Sequence, residues 1–229
     1  MVVDCVNKVG LSASTAFLWV AIYFGVMLLY TFFDITVWRK IAPKYSNWLN
    51  IIFIFAAVII YVNLLCKRTG YRINFFQNVT VVNIILALGC SVLFYFLLDK
   101  CLDPILERLY PESEQAYEST VQALLKSPIT SMLQVCIIAP VIEEIIMRGF
   151  VLGGLKTSYG IAVALLISST LFALLHFNMV QTLSAFISGL ILGLLFIKTG
   201  SILSCIVAHC GYNLISFVIM IIPYVKMKK

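Results

Sequence analysis

Ala139-Pro140-Val141-Ile142-Glu143-Glu144-Ile145-Ile146-Met147-Arg148-Gly149 sets two adjacent carboxylates and an arginine inside an otherwise apolar run. A lipid-facing helix would not tolerate that set, because one ionisable residue at mid-bilayer costs roughly 2.5–3.5 kcal/mol on insertion scales. Three of them require a protein interior with partners in it. Glu144 and Arg148 are four apart, so they share a helix face and can pair. Glu143 lies about 100° further round a wheel of 3.6 residues per turn, free to point at a cavity while Glu144 is paired. Pro140 has no N–H to give the carbonyl of Cys136, which predicts a kink just before the glutamates that opens the helix locally.

The rest of the chain supplies the interior. Of its 229 residues, 62% are hydrophobic and 11% charged, well above the roughly 45–50% apolar content of a soluble domain. Apolar runs of about 18–23 residues recur, each long enough to cross about 30 Å of hydrocarbon. The predicted fold class is all-α: a polytopic membrane helix bundle of about seven transmembrane helices, with amphipathic surface helices between the third and the fourth. The spans are read at about 14–38, 48–66, 79–98, 129–154, 160–177, 180–197 and 201–224. They form one membrane domain over 1–229, with no room for a second. Residues 1–12 are a short polar lead, and no cleaved signal peptide is expected. In 100–127, Leu102, Ile105, Leu106 and Leu109 repeat at helical spacing. After Pro111, Tyr117, Val121, Leu124 and Leu125 do the same, with acids Glu112, Glu114 and Glu118 leading and Lys126 trailing. That pattern suits helices lying on the membrane, either plain connectors or a substrate guide. Gly189 and Gly193 form a G-x-x-x-G close-packing face that by itself says nothing about activity.

Net charge is +6, and the basic residues sit mostly in short loops and at the tail. They read as topology determinants at lipid headgroups, so membrane lipid is a partner and nucleic acid is not. Seven crossings put Arg39, Lys40, Lys44, Lys100, Arg108, Lys126, Lys226, Lys228 and Lys229 on one side. Lys8, Lys67, Arg68, Arg72, Lys156 and Lys198 fall on the other. This favours a multi-pass protein of the cell membrane whose C-terminus, and with it the opening of the site, is cytoplasmic. The cysteines, Cys5, Cys66, Cys90, Cys101, Cys136, Cys205 and Cys210, are odd in number and contain no C-x-x-C, so buried free thiols are expected.

The only two histidines, His176 and His209, both lie in apolar spans, and Asn213 follows His209 by one turn. Each alone has an ordinary structural explanation as a packing or helix-bridging residue. Two Glu, one Arg, two His and one Asn on three helices, with almost no other intramembrane ionisable groups, point to a site. Such a set suits hydrolysis. A buried carboxylate can act as general base on water, and an amide and an imidazole can donate to a tetrahedral oxyanion. Glu143, His176 and His209 could alternatively hold a zinc ion with an open water position, although H-E-x-x-H is absent.

Glu143-Glu144-x-x-x-Arg148, Phe172-x-x-x-His176 and His209-x-x-x-Asn213, in that order, resemble the three-motif signature of the CPBP family. These are the CAAX-protease and bacteriocin-processing intramembrane proteases, also called the Abi family. The resemblance falls within 128–224; residues 1–127 are similar only in spanning a membrane. Many members carry Phe or Tyr before the motif arginine, where this chain has Met147. The resemblance implies an all-helical membrane fold around a water-reachable cavity. It implies Glu143 as general base, Glu144 and Arg148 as its support, and His176 beside Glu143 at the water. His209 and Asn213 would line the cavity and stabilise the oxyanion. Both a glutamate-driven mechanism without obligatory metal and a Zn²⁺-assisted one have been drawn for similar enzymes. The implied substrate is a lipidated protein cut near its C-terminus or a small hydrophobic peptide, the short chain favouring the latter. A non-catalytic bacteriocin-immunity or peptide-binding protein is the competing reading. A proton-coupled carrier is a third, disfavoured because the polar residues have no counterpart in a repeated half.

Overall fold

The structure, a computed structural model, describes residues 10–227, with side chains for all of these but 114–117 and 223–227. Residues 1–9 of the polar lead, with Cys5 and Lys8, lie outside the described residues, as do Lys228, Lys229 and the side chains of Glu114, Tyr117 and Lys226. Among the described residues there are seven helical stretches and no strand. They are α1 (Ala13–Ile41), α2 (Ser46–Thr69), α3 (Val81–Leu109), α4 (Pro111–Leu125), α5 (128–173), α6 (Met179–Thr199) and α7 (Ile202–Met227).

Local chemistry sets the ends. Ser12, Thr80 and Asn178 each sit in extended backbone and accept a backbone N–H from the first turn of α1, α3 and α6, as good N-caps do. Pro128 opens α5, where a missing N–H costs nothing. Gly160 folds α5 back on itself: its φ of 79° and ψ of 169° suit glycine alone. The first limb (128–159) and the second (161–173) then run antiparallel, tied by the Ser168 hydroxyl donating to the Met147 carbonyl at 2.8 Å.

α1, α2, α3, α6 and α7 are long and apolar enough to cross a membrane, so the chain is a multi-pass membrane protein. The fourth and fifth predicted spans are the two limbs of α5. The second limb rises only about 20 Å at 1.5 Å per residue, short of the bilayer's roughly 30 Å. The stretch 100–109 is not a separate surface helix. It continues α3 through wide turns at Tyr95–Leu102, in which Asp103 N–H reaches back five residues to Leu98. Those turns accommodate Pro104, which has no N–H for the usual ladder. Only α4 stands alone as a surface helix between the third and fourth spans.

Polarity explains the layering. Half of the most apolar window of α6 is buried in protein, against 17–22% for α1, α2, α3 and α7. Phe17, Leu29, Ile52, Ile85 and Leu166 are exposed, to lipid. All eight residues Ile145–Leu152 of the first limb of α5 are buried. The stretch that sets Glu143, Glu144 and Arg148 amid apolar residues is thus the one wrapped in protein, as the cost of charge in hydrocarbon demands.

Candidate active site

The first limb of α5 opens where the sequence predicts. Over Gln134–Ile138 it winds in wide turns, with Ala139 N–H bonded to the Gln134 carbonyl five residues back. Pro140 offers no N–H, so the Val135 carbonyl is left without a partner from its own helix. Asn213 of α7 supplies one: its Nδ2 donates to that carbonyl at 2.9 Å. A widened turn frees backbone polarity, and a side chain from a neighbouring helix takes it up.

One helical turn beyond Pro140 the charged residues meet. Glu144 and Arg148 are both fully buried and pair through Nη1 and Oε1 at 3.0 Å. The same Oε1 accepts from His209 Nδ1 at 2.9 Å. The other ring nitrogen of His209, Nε2, lies 3.8 Å from Glu143 Oε2. That is too long for a direct hydrogen bond and short enough for both atoms to touch one water. The Glu143 side chain keeps 17% of its surface, whereas that of Glu144 has none. The two adjacent acids therefore divide as their 100° offset predicts: one is locked in an ion pair and the other remains accessible. His176 sits one ring away. It lies in the link after α5 rather than within the predicted span 160–177, because the helix ends at Ala173, and its Nδ1 is 3.2 Å from the carbonyl of Phe172 in the last turn of α5. Phe172 lies edge-on to both imidazoles, with centroids 5.3 Å from His176 and 5.8 Å from His209. Glu143, Glu144, Arg148 and His209 are brought into direct contact range. Asn213 and His176 border them through Val135 and Phe172.

Residues 125–215 match the family described as type II CAAX prenyl endopeptidase, Rce1-like. This segment is an Rce1-like family domain. It runs from the last residue of α4 to the middle of α7, a little under half the chain, and contains all six candidate residues. No curated protein and no solved structure matches the chain. The family this segment matches is described as one of endopeptidases, enzymes that act on protein substrates.

Two residues that build this Rce1-like site go unread in the sequence. Phe172 marks a spacing there; in the structure its ring carries the Arg148 guanidinium at 4.8 Å and lies edge-on to both imidazoles. Gly189, read only as helix packing, offers its carbonyl to Arg148 Nη2 at 3.1 Å. A methyl group at Gly189 would lie 3.2 Å from the Ser169 backbone and 3.3 Å from the Phe172 ring. Gly189→Ala should gain up to about 1 kcal/mol of helix propensity. It should lose about 1–3 kcal/mol to overpacking, because a backbone and a wedged ring cannot step aside. A lowered melting temperature in detergent is expected. Gly89→Ala in α3, with nothing within 4 Å of the new methyl, should not lower it.

Among the described residues, no three His, Cys, Asp or Glu side chains gather so as to hold an ion. In the sequence alternative of Glu143, His176 and His209, the Phe172 ring lies edge-on to both imidazoles, and His176 Nδ1 is held by a backbone carbonyl, which leaves Nε2 as its ligating atom. Met147 is wholly buried, and its carbonyl accepts from the Ser168 hydroxyl.

Proposed function

We propose that the chain is an intramembrane endopeptidase in which Glu143 activates the attacking water. The observation that carries this reading is that both carboxylates address one imidazole of another helix, with Glu144 neutralised by Arg148 and Glu143 left accessible. Glu143 takes a proton from water as the water oxygen adds to the peptide carbonyl, and it returns that proton to the amine nitrogen as the C–N bond breaks. Glu144 fixes His209 by accepting from Nδ1, which leaves Nε2 facing the reacting water and carbonyl. Asn213 has a second N–H beyond the one given to Val135, and that N–H stabilises the oxyanion; His209 joins it only as an imidazolium, because its Nδ1–H is already given to Glu144. His176 meets the site through the edge of the Phe172 ring, and no proton transfer is assigned to it.

The substrate class is a membrane-associated protein or small hydrophobic peptide, lipidated or not, entering from the membrane. The site opens to the cytoplasmic side, supported by the excess of Lys and Arg on the C-terminal side of the bundle. Purified protein in lipid vesicles, offered prenylated and unprenylated peptides, tests this by mass spectrometry of the products. Cleavage is expected, and it should persist unchanged after exhaustive chelation. Tight peptide binding without any cleavage would support the non-catalytic reading instead. Activity lost on chelation and restored by Zn²⁺ would overturn the metal-free mechanism.

A further inference from the structure

The helix that carries His209 is held from outside the family-matched segment. α7 lies parallel to α3, and Ser91 Oγ of α3 donates to the Ala208 carbonyl at 2.9 Å. Two turns further along α3, Asp99 receives two hydroxyls from α7: Tyr212 Oη on Oδ1 at 2.7 Å and Ser216 Oγ on Oδ2 at 2.5 Å. The Tyr212 ring is itself wedged edge-on against Phe94, which is fully buried, at 5.6 Å between centroids. On a wheel of 3.6 residues per turn, Tyr212 lies about 60° to one side of His209 and Asn213 about 40° to the other. Asp99 grips one flank of α7 and the Val135 carbonyl grips the opposite flank through Asn213. Between those two grips the bearing of the imidazole is fixed. One turn on from Asp99, Asp103 accepts Ser184 of α6, the helix whose Gly189 carbonyl holds Arg148.

We propose that Asp99 is a positioning residue for the reaction: through Tyr212 and Ser216 it sets the rotation of α7 that brings His209 to Glu143 and Glu144. This rests on the endopeptidase reading for its kinetic consequence, though not for its structural one. Asp99 is bonded to Tyr212 and Ser216 of α7 and not to Glu143 or His209. Its effect passes through the helix, and it accounts for a half-buried carboxylate that the hydrolytic step does not use. Bonds to an ionised acceptor are short and directional, which suits a carboxylate to this task better than an amide.

Asp99→Ala, Asp99→Asn, Tyr212→Phe and Ser216→Ala test it, with the double variant of the last two. Tyr212→Phe keeps the ring against Phe94 and removes only the hydroxyl. A misplacement of about 1 Å can cost on the order of 10²-fold in turnover. Asp99→Ala should therefore lower kcat by about 10–100-fold while KM stays within about twofold. The Tyr212→Phe/Ser216→Ala double variant should match it, and adding Asp99→Ala to that double should cost little more, because the three act as one unit. Asp99→Asn should fall between Asp99→Ala and the unaltered protein.

A readout independent of activity is Cys205 of α7. It is fully buried, with its thiol 3.4 Å from the Leu192 carbonyl of α6. It should resist N-ethylmaleimide in the unaltered protein and become labelled, as mapped by mass spectrometry, once Asp99 or both hydroxyls are gone. Full kcat in the Tyr212→Phe/Ser216→Ala variant, or losses that multiply between Asp99 and its partners, would overturn the proposal. If Asp99→Ala does not accumulate, that hydroxyl double variant decides alone. If no form of the protein cleaves peptide, the endopeptidase reading fails. Cys205 labelling then decides on Asp99: protection in every variant overturns its role, and labelling in the variants upholds it.

Discussion

Glu143→Gln should lower peptide hydrolysis by about 10²–10⁴-fold, the usual worth of a general base, and leave the melting temperature of the solubilised protein where it was. The two halves of that expectation have separate causes. The amide keeps the shape of the carboxyl but cannot accept a proton from water at neutral pH. The side chain is partly exposed and its nearest ionic neighbour, His209 Nε2, stands 3.8 Å away, so no tight buried pair is broken. A rate assay on vesicles beside a thermal melt separates loss of chemistry from loss of fold. Unaltered cleavage by Glu143→Gln would remove the carboxylate from the mechanism.

Arg148→Met should do the opposite, striking the fold first. Arg148 and Glu144 are wholly enclosed, and breaking a buried ion pair from one side typically costs about 3–5 kcal/mol because the other charge is stranded. Here the stranding is severe: Glu144 Oε2 has no hydrogen-bond partner among the described residues, so His209 alone would face the charge. The guanidinium also gives up its seat on Phe172 and its bond to Gly189. Against a typical total stability of 5–15 kcal/mol, poor accumulation in the membrane and a sharply lowered melting temperature are expected. Glu144→Gln combined with Arg148→Met removes both charges and should recover part of the loss. An Arg148→Met protein that melts like the unaltered one would contradict this account of the pair.

Much of the centre is legible in the sequence because it is built on helical arithmetic. The four-residue step from Glu144 to Arg148 predicts their ion pair, and the 100° step to Glu143 predicts which acid stays open. Pro140 predicts the local opening, because a missing N–H is a property of the residue. The Gly160 turn shows in Ser158-Tyr159-Gly160 for the same kind of reason. Contacts between helices are less legible. That Asn213 would take up the Val135 carbonyl depends on the register of α7 against α5, which no local pattern states. Gly189 reads as generic packing because G-x-x-x-G reports closeness without saying what lies close. Asp99 goes unread in the sequence, because its partners, Tyr212 and Ser216, are more than a hundred residues away and are uncharged. The stretch 100–109 looks amphipathic because Asp103 is polar, yet that carboxylate faces Ser184 inside the bundle. Periodicity reports a polar side without saying whether protein or water meets it.

A high-resolution experimental map of the purified protein in lipid would test the central claim most directly. A single ordered water is predicted within about 2.6–3.2 Å of both Glu143 Oε2 and His209 Nε2, reachable from the membrane or the cytoplasmic side. A dry contact, with apolar side chains packed between Glu143 and the imidazole and no path for water to reach them, would contradict it.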